Sequence, residues 1–260
     1  MNSCYTLYSG SSGNSVFLDL DGHKFLVDAG KSARSLCNSL MSVGADISDI
    51  EAIFITHEHT DHIGALAVLT KKYHIPVHVC GRSANKLKML GEGSICRCIV
   101  EHPPVFNTEL GKVKISSFVT PHDSMGSVGY RIEYPNGENE TLSLGIATDI
   151  GHVDESIREG LFGCRDIILE SNHDIEMLMC GPYPQQLKMR ILSRTGHLSN
   201  SDCAAFAAEL CEKGTKNILL AHLSEENNQP ELALSEVTSA VANDKVHIAV
   251  ADREIPVRLF

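Results

Sequence analysis

The segment His57-Glu58-His59-Thr60-Asp61-His62 places three imidazoles and the Asp61 carboxylate, with a second carboxylate in Glu58, directly after the apolar run Glu51–Thr56. If extended geometry continues past that run, His57 and His59 point the same way. Asp61 and His62 follow as the chain turns toward a helix. Neutral imidazole and carboxylate are ligands for Zn²⁺, Mn²⁺ or Fe. The pattern is not the HExxH of zinc proteases, whose two histidines share a helix face at i and i+4. A solvated loop with surplus histidines is the bland alternative. The density of ligand types argues against it.

One such block cannot hold two metals alone. Three further places put His or Asp just after an apolar strand-like run: Pro121-His122-Asp123 after Ile115–Val119, Asp149 after Leu144–Ala147, and His222 after Ile218–Ala221. A lone histidine at a strand end is usually structural. Taken with the block, the three become candidate ligands that emerge at one end of a sheet.

Those ends need elements to carry them. Cys4–Tyr8, Ser15–Leu20 and Lys24–Asp28 read as strands, with Ser9–Asn14 as a turn. A helix is expected near Ser32–Ser42, closed by Gly44, then a buried strand at Glu51–Thr56. Ile63–Tyr73 has helical spacing and Pro76–Cys80 is strand-like. Lys112–Thr120, Val128–Tyr134 and Thr141–Thr148 are further strands, the last two joined by a turn at Pro135-Asn136-Gly137. Helix near Asp154–Leu161, strand Asp166–Glu170, helix Ser201–Lys213, strand Asn217–Ala221, helix Pro230–Ala242 and strand Lys245–Val250 complete the chain. Two similar halves, sheet packed on sheet with helices outside, fit this order. No linker-like stretch divides it, so residues 1–260 are expected to form one domain.

Composition narrows the function. The 260 residues are 43% hydrophobic and 21% charged, ordinary for a globular protein. No apolar run is long enough to span a membrane. The first residues carry neither a basic nor an apolar segment of the secretory kind, so a cytoplasmic location is expected. The 22 Lys+Arg against 33 Asp+Glu give a net charge of −11, which disfavours general polyanion binding without bound cations or a local basic patch. Nine cysteines without a CxxC pair read as reduced, mostly buried thiols. Thirteen histidines are many. His74, His78, His102, His152, His173 and His247 lack a spacing argument and are read as structural, with His173 notable for its closeness to Glu170.

Asp28 in Phe25-Leu26-Val27-Asp28-Ala29-Gly30, the HxHxDH block, His122, Asp149 and His222 resemble, in order, the signature positions of the metallo-β-lactamase superfamily. The resemblance runs along the whole chain and implies an αββα sandwich, an α/β fold of two mixed sheets with outer helices and a dinuclear centre at one edge. By that likeness His57, His59 and His122 would bind a first divalent ion, and Asp61, His62 and His222 a second. Asp149 would bridge them, and Asp28 would orient ligands from behind. Within the superfamily the chain most resembles the YycJ/WalJ-type metallohydrolases, through Ser9–Asn14, Leu169–Asp174, Gly196–Asn200 and Ala221–Asn228. That family implies a 5′-to-3′ exonuclease acting on DNA, with a hydroxide shared by two Zn²⁺ or Mn²⁺ ions (Fe is feasible) as the nucleophile. It is also similar to tRNase Z-like phosphodiesterases, which use a Glu–His pair outside the metal shell. Glu170 and His197 stand at the matching positions and join Asp61 in the expected catalytic set.

A phosphodiester reading also has chemical support. The alkoxide leaving a phosphodiester needs a proton, which a carboxylate-held histidine can give. Ser199-Asn200-Ser201-Asp202 reads as a capping box whose helix N-terminus faces a phosphate beside His197. Lys188, Arg190, Arg194 and Ser199 are therefore the expected phosphate contacts. Glu170 is expected to act only by orienting and charging His197. Tyr130 and Tyr183 can stack on a base, but core packing is the expected role. A small-molecule phosphodiesterase and a glyoxalase-type thioester hydrolase are the alternatives; the latter would not need Glu170 and His197.

Overall fold

The computed structural model describes residues 2–90, 93–138 and 140–260. The first part of the chain supplies β1 (Ser3–Tyr8), β2 (Ser15–Leu20), β3 (His23–Val27), α1 (Ala33–Ser42), β4 (Ala52–Phe54), α2 (Thr60–Ile63), α3 (Leu66–Tyr73), β5 (Val77–Cys80), α4 (Gly81–Leu90), α5 (Gly93–Cys98) and β6 (Ile99–His102). The second supplies β7 (Asn107–Leu110), β8 (Val113–Val119), β9 (Val128–Pro135), β10 (Thr141–Ala147), α6 (Glu155–Leu161), β11 (Asp166–Glu170), α7 (Ile175–Cys180), α8 (Gln185–Ile191), α9 (Asn200–Glu212), β12 (Asn217–Ala221), α10 (Pro230–Val241) and β13 (His247–Val250). A last strand, β14 (Val257–Arg258), follows.

The strands form two seven-stranded sheets, ordered β14-β1-β2-β3-β4-β5-β6 and β13-β12-β11-β10-β9-β8-β7. Both are mixed: β1–β3 and β7–β10 run antiparallel, while β3–β6 and β10–β13 run parallel. This is the expected αββα sandwich, with one departure from two self-contained halves. β14 crosses back and pairs with β1, Tyr5 opposite Arg258.

Strand alternation explains the layers, because successive side chains face opposite sides of a sheet. Leu18, Leu20, Phe25, Val27 and Phe54 point between the sheets, where they meet Ile115, Tyr130, Ile132, Ile146 and Leu219. Phe17, Leu26 and Ile53 face the other way, under Leu36, Leu40, Leu66 and Leu69 of α1 and α3. Ile167, Leu169, Ile218 and Leu220 pack under α6, α9 and α10. Parallel strands covered on both faces are near-continuous apolar runs, as β4 is and as β12 is after Asn217. Tyr130 belongs to the core as expected, its hydroxyl donating to the Ile55 carbonyl at 2.7 Å.

Several local expectations change. The helix expected over Ile63–Tyr73 is two pieces, α2 and α3, parted at Gly64, where a Cβ would lie 2.5 Å from the Lys31 carbonyl oxygen. The helix after His197 starts at Asn200, with Ser199 as its cap accepting from the Asp202 amide. Helices α4, α5, α7 and α8 were not legible as such. Among the described residues no helix is long and apolar enough to cross a membrane.

Candidate metal centre and proton donor

The sheet edges deliver the candidate residues to one place. His57 lies just beyond β4, His59 stands at the N-terminal boundary of α2 without a capping hydrogen bond, and Asp61 and His62 sit within α2. Asp28, Asp149 and His222 follow β3, β10 and β12; His122 follows β8, and Glu170 ends β11. Asp28, Asp149 and His222 all adopt left-handed backbone, with φ of 62°, 58° and 59°. Asp and His tolerate that region better than bulkier residues, and such local strain concentrates at functional sites. Each kink turns a side chain out of the strand line toward the shared edge.

Two groups of three face one another. His57, His59 and His122 offer nitrogens within 4.8 Å of each other, as do Asp61, His62 and His222 with their donor atoms. His57 Nε2 is 3.0 Å from His59 Nδ1, which is 3.3 Å from His122 Nε2. Asp149 lies between the groups. Its Oδ1 is 3.8 Å from His122 Nε2 and 3.6 Å from His222 Nε2, and its Oδ2 is 3.4 Å from His62 Nε2. Asp61 Oδ2 is 3.5 Å from His62 Nε2 and 3.8 Å from His222 Nε2.

The surroundings aim these atoms. Asp28 accepts from the Thr56 amide and hydroxyl, both at 2.8 Å, and its Oδ2 meets His62 Nδ1 at 2.7 Å. His122 Nδ1 donates to the Gly196 carbonyl, fixing Nε2 toward the cluster. Asn14 Nδ2 is 3.2 Å from Asp61 Oδ2 and 3.1 Å from His62 Nε2. Gly30 permits this crossing of loops, since a Cβ there would lie 2.0 Å from the Asp61 carbonyl oxygen. The Ser9 hydroxyl accepts from the His222 amide at 2.7 Å and so ties the two sheets together at the site.

The donor set fits divalent ions. Buried Asp149 Oδ2 and His222 Nε2 have no hydrogen-bond partner among the described residues, an arrangement that is costly unless something else occupies them. Nitrogen and carboxylate donors suit Zn²⁺ and Mn²⁺. The electrostatics point the same way. Burial alone would raise the Asp149 carboxyl, but His222, His62, His57 and His122 hold it well below the usual range. Burial would lower His222; the charge of Asp149, the nearby Asp61 carboxylate and the hydrogen bond to Glu170 lift it to about 10 instead. His57, buried and beside His62, is pushed well down. Cations bound here would take the place of protons shared among these groups.

Glu170 and His197 do form a pair. His197 Nδ1 lies 2.7 Å from Glu170 Oε1. The same oxygen lies 3.0 Å from His222 Nδ1, and Oε2 accepts from the Ile150 amide at 2.7 Å. Glu170 therefore supports a candidate metal ligand as well as His197, a second duty that the sequence did not reveal. Burial would raise this carboxyl, but His197 and His222 bring it down to about 2. Burial would lower His197, yet the charge and hydrogen bond of Glu170 raise it. His173 is buried beside this pair and joins Ser199 through a parallel bridge, which sets its segment against that of His197.

The expected phosphate contacts divide. Lys188 is buried and its ammonium donates to the Met179 and Gly181 carbonyls at 2.7 and 2.8 Å, so it is withdrawn from the set. Ser199 is likewise withdrawn, because its buried hydroxyl caps α9. Arg194 is turned to His152, 2.6 Å from its Nε2. Arg190, paired with Asp123, alone lines the depressions beside the cluster. Tyr183 is half-buried on a cavity wall rather than in the core. Sequence reasoning missed Lys86, which lines the groove on the His59 side. It also missed Glu58, which accepts from Ser83 and the Met125 amide and so braces the loop after His122. Nothing in the spacing of Glu58 distinguished it from its ligating neighbours.

Comparison with known proteins agrees with this fold. Residues 8–139 match the family model of the metallo-beta-lactamase superfamily. The chain is similar to exodeoxyribonuclease YycJ of Bacillus anthracis, 35% identical over 239 residues that cover 90% of this chain and 87% of the relative. It is similar to exodeoxyribonuclease WalJ of Streptococcus pneumoniae serotype 2, again 35% identical, over 94% of this chain and 90% of the relative. Among solved structures, the metallo-beta-lactamase fold protein YhfI from Bacillus subtilis superposes with a TM-score of 0.73 at 16% identity, covering 99% of this chain and 100% of that one.

Proposed function

The chain belongs to the metallo-β-lactamase superfamily, and on that premise we propose that this metal-dependent hydrolase is a DNA exonuclease working 5′ to 3′. His57, His59 and His122 would hold one divalent ion, Asp61, His62 and His222 a second, with Asp149 shared between them. Zn²⁺ or Mn²⁺ there would activate water and offset charge building on the phosphate. Asp28 keeps His62 aimed, and Asn14 keeps Asp61 in place. Glu170 and His197 handle the proton that the leaving oxygen needs.

The single observation that carries the phosphodiester reading is the 2.7 Å contact of Glu170 Oε1 with His197 Nδ1. The contact leaves Nε2 for a substrate oxygen, and the carboxylate keeps the ring protonated into a higher pH range. A thiolate leaves without such help; an alkoxide does not. Whole-chain similarity to two exodeoxyribonucleases supports DNA over a small phosphodiester.

The test is digestion of 5′-labelled single- and double-stranded DNA and RNA by metal-loaded protein, with bis-p-nitrophenyl phosphate and a thioester as controls. Release of the label from DNA as mononucleotide at the earliest times is the expected result. Turnover of the thioester with every phosphodiester left intact would overturn the reading.

A further inference from the structure

Two depressions meet at the metal centre. A cavity of about 270 Å³ is lined by Ser11, Asn172, Tyr183, Leu187, Arg190 and His197, among others. A more open groove of about 630 Å³ is lined by Glu58, His59, Asp61, Lys86 and Met125. Asp123 and Arg190 line both, and the ion pair between them marks the boundary. We infer that the cavity beyond His197 receives the 5′-terminal nucleotide as it leaves, and that Tyr183 recognises its base. The inference rests on the phosphodiesterase reading above and adds the leaving-group subsite to it.

The position of the proton donor fixes the direction. A general acid must lie within hydrogen-bond reach of the oxygen it protonates. In an in-line displacement the entering and leaving oxygens are on opposite sides of phosphorus. The departing group therefore occupies the side that His197 lines, and the remaining strand lies toward His59, Asp61 and Lys86. Hydrolysis breaks the P–O3′ bond. The water oxygen joins phosphorus, His197 gives its proton to O3′, and the proton lost by water restores His197. The departing nucleotide then carries a 3′-hydroxyl and the strand a new 5′-phosphate.

Size and wall chemistry select a single nucleotide unit. Pockets for small ligands occupy ~300–1,000 Å³, so this cavity, at about 270 Å³, falls just below that range and has room for one unit at most. Tyr183, Leu187 and Ile191 recur at intervals of four residues along the segment entering and forming α8, and all three line the cavity. Leu187 and Ile191 share a face of α8, and Tyr183, just before the helix, lines the same cavity, which gives an apolar wall with one aromatic ring for a base to stack on. Ser11, Asn172 and Ser224 supply polar groups, and Arg190 supplies charge for the terminal phosphate. Withdrawal of Lys188 into α8's own support leaves Arg190 as that helix's cation at the cavity.

The experiment compares a 5′-phosphorylated single-stranded DNA with the same strand carrying an abasic 5′-terminal residue, using the metal-loaded full chain. Tyr183→Ala should raise KM on the normal strand about 5- to 150-fold, the span of one lost base stack. Tyr183→Phe should restore it. On the abasic strand the wild type should show the same penalty, and Tyr183→Ala should add little to it. Circular single-stranded DNA should stay uncut. Equal effects of Tyr183→Ala on both strands, no effect on either, or cutting of the circle would overturn the subsite while leaving the phosphodiesterase reading in place. Failure of the wild type on every phosphodiester would remove that reading, and the subsite with it.

Discussion

Replacing Glu170 by Gln removes one charge from a buried side chain and almost no volume, so it tests electrostatics with little change in packing. In the fold this carboxylate serves His197 and His222 through one oxygen and the Ile150 amide through the other. A carboxamide has only one acceptor oxygen, so it cannot serve both faces. If the oxygen turns to Ile150, an NH₂ group confronts two imidazole nitrogens. His197 then loses the charge that raises it, burial prevails, and the ring is neutral when a proton is required. Loss of general acid catalysis costs about 10²–10⁴-fold. His222 loses the partner that orients it, and such losses cost about 10–100-fold in metal affinity. Glu170→Gln should therefore slow DNA cleavage by about 10²–10⁴-fold and also require about 10–100-fold more free metal for half-maximal activity. His197→Ala should match the first effect without the second. Bis-p-nitrophenyl phosphate separates them, because p-nitrophenolate needs almost no protonation. On that substrate His197→Ala should stay active, and Glu170→Gln should be slow at limiting metal and recover at saturating metal. Chelator-competition titration alongside kcat/KM on both substrates measures each term. If the two variants respond alike at every metal concentration, the contact between Glu170 and His222 contributes nothing. That result would return Glu170 to the sequence-based expectation, in which it works through His197 alone, whereas a separate metal-affinity loss marks its second duty at His222.

Metal analysis of reconstituted protein should give two ions per chain, and a ceiling of one would refute the paired sites. Asp149→Asn keeps a residue that tolerates the left-handed backbone at this position, so the chain should fold while hydrolysis falls by more than ~10²-fold; near-normal turnover would refute a shared ligand. Lys188→Met strands two carbonyls and should cost about 1–3 kcal/mol in urea unfolding while leaving the salt dependence of KM unchanged; a changed salt slope would return Lys188 to the phosphate path. Burial and the neighbouring His102 bring His78 down to about 4. The unfolded chain takes up a proton there near pH 6.5 that the fold refuses, so this stability is full above pH 6.5 and is lost as pH falls through 4. After discounting for partial exposure, His78→Gln should remove about 1–2 kcal/mol of the difference in unfolding free energy between pH 7 and pH 4; an unchanged slope would show that His78 is not its source.

What the sequence disclosed followed from chemistry that is local in the chain. β11 and β12 were bounded correctly because apolar β-branched runs ended at charged or polar residues. The candidate ligands stood out because His and Asp followed those runs. Contacts across the chain left no such trace. Asn14 reaches Asp61 from a loop 47 positions away, and Asp28 reaches His62 across 34. Lys188 looked like a phosphate contact because charge was visible and burial was not. The α7–α8 segment was missed because its helices are short and lack strong caps at α8, whose N-terminal position is Pro184. The cavity wall that Tyr183 contributes therefore appeared only once that segment was placed.

The hydrogen bond from the His222 amide to the Ser9 hydroxyl joins positions 213 residues apart. At ~5–20 residues per second, a nascent chain exposes the Ser9 loop about 10–40 seconds before His222 is made. The His57–His62 block is complete early in that interval, while His122, Asp149 and His222 are still to come. During synthesis the molecule is thus first an open chelating segment, and only later a closed centre with defined selectivity. If a cation captured by the early segment were retained when the second sheet docks, the metal content of the finished protein would reflect the timing of synthesis as well as affinity. Adding a chosen metal during translation and comparing it with addition afterwards would reveal that history.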